Sequence, residues 1–123
     1  MARILVAGED MAAVQALAAE LAGEGHIVAE AATGQEAYDL ALAEPLDLVF
    51  LEVVMPVFNG YETCRLLRED PDISATLPIV FLVSDDYDAR RLETIRATDT
   101  LPKVHEAYEV RELLARYLAP EAL

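Results

Sequence analysis

The sequence has 123 residues, of which 54% are hydrophobic and 26% are charged, and its formal net charge is −14. This length fits one domain over residues 1–123 that buries a core without disulfide or metal staples, and the composition argues against disorder. The excess of acids disfavours direct binding to nucleic acid, because phosphate contacts need a basic surface.

Five short apolar segments predict β-strands. The third and fourth are almost continuously apolar, which is typical of strands covered on both faces, and the fifth is the weakest. In chain order, the predicted strands are residues 3–7, 26–31, 46–51, 78–83 and 100–104.

Helical patterns separate and follow these strands. Apolar residues at helical spacing predict a first helix from Met11, which Gly23 and Gly25 would end. Thr33 and Glu36 predict a capping box for the second helix. The helices after the first are expected over Thr33–Ala43, Gly60–Glu69 and Arg90–Arg96, with a last one marked by Val110, Leu113, Leu114, Tyr117 and Leu118.

This alternation predicts an α/β domain with a parallel sheet and right-handed crossovers. In such sheets the reactive site lies at the carboxyl ends of the strands. Acids, a hydroxyl and an ammonium group follow four of the predicted strands, and the topology should bring them together. They are Glu9 and Asp10 after strand 1, Glu52 after strand 3, Ser84, Asp85 and Asp86 after strand 4, and Lys103 at strand 5.

Clustered carboxylates beside a lysine favour a site for Mg²⁺ and phosphoryl groups. Carboxylate oxygens are hard ligands for the metal, and the ammonium group is a point charge for phosphate oxygens. A central carboxylate could also act as the nucleophile and form an acyl phosphate.

Four stretches carry a resemblance to a known family: "ILVAGED", "DLVFLEVVMPVFNG", "LPIVFLVSD" and Lys103 before the last helix. The chain resembles, over essentially its whole length, the receiver domain of two-component response regulators. The resemblance implies a flavodoxin-like (βα)5 three-layer sandwich with parallel strands in the order 2-1-3-4-5. It also implies a phosphoacceptor at Glu52, a phosphate pocket of Glu9, Asp10, Ser84 and Lys103, and Mg²⁺ ligands at Glu9, Asp10, Glu52 and Val54.

Two departures from the family pattern affect the acids. Glu52 stands where the family has its phosphoacceptor Asp, and Gly8-Glu9 stands where it has two acids, with Asp10 one place later. The extra methylene of Glu52 should place its carboxylate where a phosphoryl group would need space. Octahedral Mg²⁺ tolerates little misplacement, so losing the acid at position 8 should weaken metal binding.

Further departures lie near the last strand. Thr100 replaces the family's aromatic switch residue, Lys103-Val104 replaces Lys-Pro, and the segment from Ser84 to Lys103 is about three residues short, which should trim the fourth helix. The family's Lys-Pro bond is typically cis, but a cis bond before a non-proline residue costs about 3 kcal/mol. We therefore expect a trans Lys103–Val104 bond.

Glu52 is expected to reach Ser84 or Lys103, and Lys103 to pair with Glu52 or Glu9. The single charge of Glu52 would imitate incompletely the charge of about −1.5 to −2 on a phosphate. We predict a divergent receiver that ordinary aspartyl phosphorylation does not switch, with a state that is fixed or set by a partner.

Simpler roles are open for several of these residues. Glu9 and Asp10 could only cap the first helix, Ser84 could cap the fourth, and Asp85 and Asp86 could be plain loop acids. Cys64 has no base near it in the motif, so a reactive thiol is not expected. His26 and His105 lack companions at metal-ligand spacing and are assigned surface or packing roles.

In the family, helix 4, strand 5 and helix 5 form the output and dimerisation face. Residues 90–123 carry six acids and six bases, whereas residues 1–89 carry 17 acids and three bases, so the near-neutral last third could meet a protein partner. A histidine kinase or a downstream effector is the expected partner. Formation of a homodimer is a further possibility that the sequence does not decide. The candidate contact residues are Arg90, Arg91, Thr100, Tyr108 and Arg111.

Three other functions compete with this reading. The chain could be a receiver that is still phosphorylated or binds Mg²⁺, a small flavodoxin-like phosphoryl-transfer enzyme, or a scaffold with a relic pocket. The sequence has neither a Gly-rich phosphate loop nor a nucleotide or flavin fingerprint, which disfavours an enzyme. We expect a cytoplasmic protein without a signal peptide or membrane span, either a stand-alone receiver or part of a longer chain.

Overall fold

A five-stranded parallel sheet in the order β2-β1-β3-β4-β5 forms the centre of the computed structural model, which describes residues 1–123. The strands are β1 (Arg3–Ala7), β2 (Ile27–Ala31), β3 (Leu48–Glu52), β4 (Ile79–Val83) and β5 (Asp99–Pro102). The helices are α1 (Met11–Gly23), α2 (Gly34–Ala43), α3 (Gly60–Glu69), α4 (Ala89–Thr94) and α5 (Ala107–Tyr117), and a 3₁₀ turn follows at Pro120–Ala122. The strand order and the flavodoxin-like α/β fold expected from the sequence are confirmed.

The sheet is covered on both faces. Alternate strand residues such as Phe50 join α1 and α5 in one core, and the residues between them, such as Phe81, join α2, α3 and α4 in the other. Every residue of β3 and β4 is buried, as their continuous apolar sequences predicted. Packing on both faces fixes the strands, so the residues at their carboxyl ends have defined positions.

The last two β/α units differ in their bounds from the prediction. The side chain of Asp88 accepts a hydrogen bond from the Arg91 N–H, so α4 begins at Ala89 rather than at Arg90. It ends at Thr94, and Arg96 adopts a left-handed conformation with φ of 62°. Strand β5 occupies Asp99–Pro102 rather than residues 100–104, so Lys103 comes directly after the strand.

The start of α3 lies tightly against the end of β3. The Gly60 N–H donates to the Val53 carbonyl at 2.8 Å, and a Cβ atom at Gly60 would lie 2.2 Å from the carbonyl oxygen of Glu52. Only glycine fits so close an approach. Asn59 and Glu62 cap the helix reciprocally. The "NG" that follows Met55-Pro56 is therefore what allows α3 to begin beside Glu52.

Two local predictions have different outcomes. The backbone contains no cis peptide bond, so the trans Lys103–Val104 bond is confirmed. At α2, the Thr33 hydroxyl accepts from the Glu36 N–H at 3.0 Å and lies 3.5 Å from the Glu36 carboxylate. The expected reciprocal capping box is therefore only half formed.

None of the helices has the length and apolar character that a bilayer crossing would require.

Candidate functional site

Glu52 is the last residue of β3, and its side chain lies at the centre of the site. The residue is only 4% exposed. Its Oε2 atom is 2.6 Å from the Lys103 ammonium, and its Oε1 atom accepts a hydrogen bond from the Asp10 N–H at 2.9 Å. A buried carboxylate is stable only when it is paired and hydrogen-bonded, and here both oxygens have a partner.

Lys103 bridges two carboxylates from distant parts of the chain. Besides Glu52, its ammonium contacts Asp10 Oδ2 at 3.2 Å. The Glu52 hydrogen bond raises the pKa of Lys103, burial opposes this, and the Asp10 hydrogen bond adds to the increase. The expected ion pair with Glu52 is present. The other expected partner, Glu9, does not pair with Lys103, and Asp10 does so instead. Lys103 is held because β5 pairs with β4 and the Lys103 N–H donates to the Val83 carbonyl.

Gly8 explains how the longer acid fits. A Cβ atom at this position would lie 2.0 Å from Glu52 Oε1, 2.4 Å from Cγ and 2.5 Å from Cδ. These distances are far below any real carbon contact, so the Glu52 side chain occupies the space that a side chain at position 8 would need. The sequence showed both departures from the family pattern, Gly8 and Glu52. Nothing in it indicated that the glycine makes room for the longer acid.

Asp10 combines two of the roles that the sequence left open. Its side chain accepts a hydrogen bond from the Ala13 N–H at 3.2 Å and so caps α1, and it also pairs with Lys103. The hydrogen bond from Ala13 lowers the pKa of Asp10, and the Lys103 hydrogen bond lowers it further. Glu9 is exposed, and its backbone N–H donates to the Val54 carbonyl at 3.3 Å.

The loop after β4 contributes less than expected. Ser84 is exposed, as are Asp85 and Asp86, and the hydrogen bonds of Glu52 go to other residues. Ser84 does line an open cavity of about 360 Å³ together with Glu52 and Lys103. The alternative that Ser84 caps α4 is wrong, because the helix begins at Ala89 with Asp88 as its cap.

These residues do not fit a Mg²⁺ ion in the arrangement observed. Position 8 offers no side chain, Glu9 is exposed, and each Glu52 oxygen already has a partner, the Lys103 ammonium or the Asp10 N–H. Of the remaining candidate ligands, Asp10 caps α1 and pairs with Lys103, and Val54 supplies only a carbonyl that already accepts the Glu9 N–H. No three carboxylate, histidine or cysteine side chains are grouped as ligands of one metal.

The predicted partner-face residues are mostly accessible. Arg90, Tyr108 and Arg111 are exposed, and Thr100 is half-buried on β5. Thr100 lines a hollow of about 230 Å³ between α4 and β5. Arg91 differs from the others, because its guanidinium group lies over the ring of Tyr61 at 4.0 Å and therefore faces α3.

The remaining singled-out residues have structural contacts. Cys64 is fully buried, and burial raises the pKa of its thiol to about 11, in accord with the expectation of an unreactive cysteine. Buried His26 accepts the Ala2 N–H at 3.0 Å. His105 lies 2.7 Å from the Pro102 carbonyl and 2.9 Å from Glu20 Oε1, so it holds the segment after Lys103 against α1. Sequence spacing alone could not reveal this bridge.

A parallel 2-1-3-4-5 sheet with acids and a lysine at the carboxyl ends of β1, β3 and β5 defines a receiver-type domain. Residues 4–115 match the model of the response regulator receiver domain, and the chain belongs to that family. The family assignment made from the sequence motifs is confirmed.

Curated relatives include the response regulator MprA of Mycolicibacterium vanbaalenii. It is 39% identical over 119 residues, which cover 95% of this chain and 49% of the relative. MprA of Mycobacterium avium is 37% identical over 119 residues, with 95% and 50% covered. This chain thus spans about half the length of the curated relatives it matches.

Similar solved structures include the chemotaxis protein CheY4 of Vibrio cholerae, with a TM-score of 0.88, 26% identity, and coverage of 96% of this chain and 99% of that one. A second is the response regulator TrrA of Thermotoga maritima, solved in complex with Mg²⁺ and BeF. It has a TM-score of 0.84, 26% identity, and coverage of 96% and 100%.

Proposed function

We propose that this receiver domain takes part in two-component signalling without being switched by ordinary aspartyl phosphorylation. The observation that carries the proposal is the engagement of both Glu52 oxygens, one by Lys103 and the other by the Asp10 N–H, in a residue that is 4% exposed. A nucleophile must present a free oxygen in line with the incoming phosphoryl group. Either oxygen of Glu52 would first have to give up its present partner, the Lys103 ammonium or the Asp10 N–H.

The same contacts support a constitutive state. Lys103 already carries a carboxylate partner at hydrogen-bond distance, as it would carry a phosphate oxygen in a phosphorylated receiver. The charge of Glu52 is smaller than the roughly −1.5 to −2 of a phosphate group, so the imitation is partial. The domain would then have one resting state, or one that a bound partner selects.

We infer that the output of the domain is protein contact rather than catalysis. The proposed face comprises α4, β5 and α5 and contains Arg90, Thr100, Tyr108 and Arg111, with Arg91 at its border with α3. Exposed guanidinium and tyrosine side chains are common in protein interfaces. A histidine kinase or an effector protein is the partner class, in the cytoplasm, and residues 1–123 would act as one unit.

The test is phosphorylation by acetyl phosphate with Mg²⁺, followed by intact-mass measurement and by ¹H–¹⁵N spectra with Mg²⁺ and beryllofluoride. We expect the native chain to gain no phosphoryl mass and to show no shifts at Glu52 or Lys103. Glu52→Asp should label poorly, because position 8 still lacks an acid. Gly8→Asp combined with Glu52→Asp should label better, because the shorter acid frees the space for Asp at position 8.

The matched control is Gly23→Asp combined with Glu52→Asp. It adds the same acid at a glycine where a Cβ atom meets nothing within 4 Å, so it should label no better than Glu52→Asp. Stoichiometric labelling of the native chain would overturn the proposal and favour a receiver that is still phosphorylated. Turnover of p-nitrophenyl phosphate that is lost in Glu52→Gln would instead favour an enzyme.

A further inference from the structure

A groove of about 420 Å³ runs between α3 and α4 and is unusually basic for this chain. It is lined by Arg65, Arg68, Arg91 and Arg96, which are four of the nine Lys and Arg residues in a chain with 23 acids. Tyr61 lines both this groove and the cavity beside Glu52, so the two hollows share a wall. The four arginines have no part in the contacts that hold Glu52.

Three of these arginines have no carboxylate partner. Arg65 pairs with Glu69 at 3.8 Å, whereas none of the ion pairs of the chain includes Arg68, Arg91 or Arg96. Acids outnumber bases more than twofold, so neutralising partners are plentiful in the sequence. Four arginines and two acids, Glu62 and Glu69, line the groove, so it keeps an excess of two positive charges within the folded chain.

The guanidinium group of Arg68 is held in place by hydrogen bonds. Arg68 donates to the Leu77 carbonyl at 2.6 Å, to the Arg96 carbonyl at 3.0 Å and to Thr98 Oγ1 at 3.1 Å. Burial lowers the pKa of Arg68, and the adjacent positive charge of Arg96 acts in the same direction. The two cations therefore repel each other in the folded chain, and a bound anion would reduce that repulsion.

Arg91 and Tyr61 form the other wall. The Arg91 guanidinium lies 4.0 Å above the Tyr61 ring, and that ring stacks on buried Phe81 at 5.9 Å between centroids. Stacked guanidinium groups lose little further freedom on binding and keep their N–H groups free for bidentate contacts with carboxylates. The groove is therefore preorganised for planar anionic groups.

We propose that the α3–α4 groove binds a short carboxylate-rich segment of a partner protein. Glu62 and Glu69 also line the groove, and the net charge of −14 would repel an extended polyphosphate such as RNA. A short acidic segment is less affected, because screening limits repulsion to about 8 Å at physiological ionic strength. The inference is independent of whether Glu52 can be phosphorylated.

The experiment titrates the full chain with a capped glutamate-rich peptide and follows ¹H–¹⁵N spectra. We expect saturable shifts at Tyr61, Thr94 and Arg96 that disappear at high salt, and no binding of the same peptide with glutamine in place of glutamate. Arg91→Gln combined with Arg96→Gln should weaken binding about tenfold, because two charge-assisted contacts are lost.

Arg3→Gln combined with Arg116→Gln is the control, since it removes the same charge away from the groove and should change the affinity less than twofold. The inference is overturned if no saturable shift occurs up to millimolar peptide, if both double variants lose affinity equally, or if the glutamine peptide binds as well. Tighter binding of a single-stranded oligonucleotide at the same residues would also overturn it.

Discussion

The contact between Gly8 and Glu52 gives a sharp test of the site, because an added methyl group should be incompatible with the native Glu52 conformation. In Gly8→Ala, the new Cβ atom would lie 2.0 Å from Glu52 Oε1. Glu52 would have to move, and it would then lose the hydrogen bonds to Lys103 and to the Asp10 N–H.

The expected loss of stability follows from the loss of these two hydrogen bonds. Hydrogen bonds to charged groups contribute about 1.5–3 kcal/mol each, and the contact with Lys103 counts for less because that side chain is 33% exposed, so we expect Gly8→Ala to lower the free energy of unfolding by about 2–4 kcal/mol. In a Glu52→Ala background, the three clashing atoms are absent. The same Gly8→Ala change should then cost less than about 1 kcal/mol, which gives a coupling energy of about 2 kcal/mol.

Urea unfolding followed by far-ultraviolet circular dichroism measures these free energies in a chain without tryptophan. Gly23→Ala is the control, since its Cβ atom meets nothing within 4 Å at the end of α1 and should be neutral or slightly stabilising. An equal cost of Gly8→Ala in both backgrounds would refute the view that Glu52 fills the space at position 8.

Three further outcomes are expected. The folded state raises the pKa of Lys103. The stabilising contribution of Lys103 is therefore complete below about pH 10.5 and is lost as the pH rises through the folded pKa. Over this range, the free energy of unfolding in urea should decline less for Lys103→Met than for the native chain. Burial lowers the pKa of His26. The contribution of neutral His26 to stability is therefore present above about pH 6.5 and is lost as the pH falls through the folded pKa. Between about pH 7 and pH 5, His26→Gln should lose less stability than the native chain. Cys64 is buried and its pKa is raised to about 11. Its reaction with a disulfide reagent at pH 8 should therefore be at least about 10²-fold slower in the folded chain than in the unfolded chain. The absorbance of the released thiol measures this rate.

The sequence was sufficient for the architecture because its strongest signals are local and repeated. The buried apolar segments that became β3 and β4, and their alternation with helical patterns, allow few topologies other than a parallel sheet. The bounds of α4 were less predictable, since Asp88 and Ser84 are both good caps by residue type. Only the packing of the loop determines that Asp88 is used.

The sequence predicted the central ion pair of the site but not the other contacts of Glu52 and Lys103. The strand ends placed Glu52, Asp10 and Lys103 at one edge, and the Glu52–Lys103 ion pair was one of the contacts expected there. The role of the Asp10 N–H and the space above Gly8 could not be predicted, because they depend on the backbone path after β1. The groove arginines were also missed as a group, since two lie on α3 and two on or just after α4.

The acid at the centre of the site is part of the polypeptide itself, which has a consequence for timing. An acyl phosphate is hydrolysed, so a phosphorylated receiver returns to rest on its own schedule. The carboxylate of Glu52 is joined through carbon–carbon bonds and has no such lifetime. Under the proposed function, the strength of the signal would follow the rates at which cells synthesise and degrade the protein, and a reset would require new chains rather than a phosphatase.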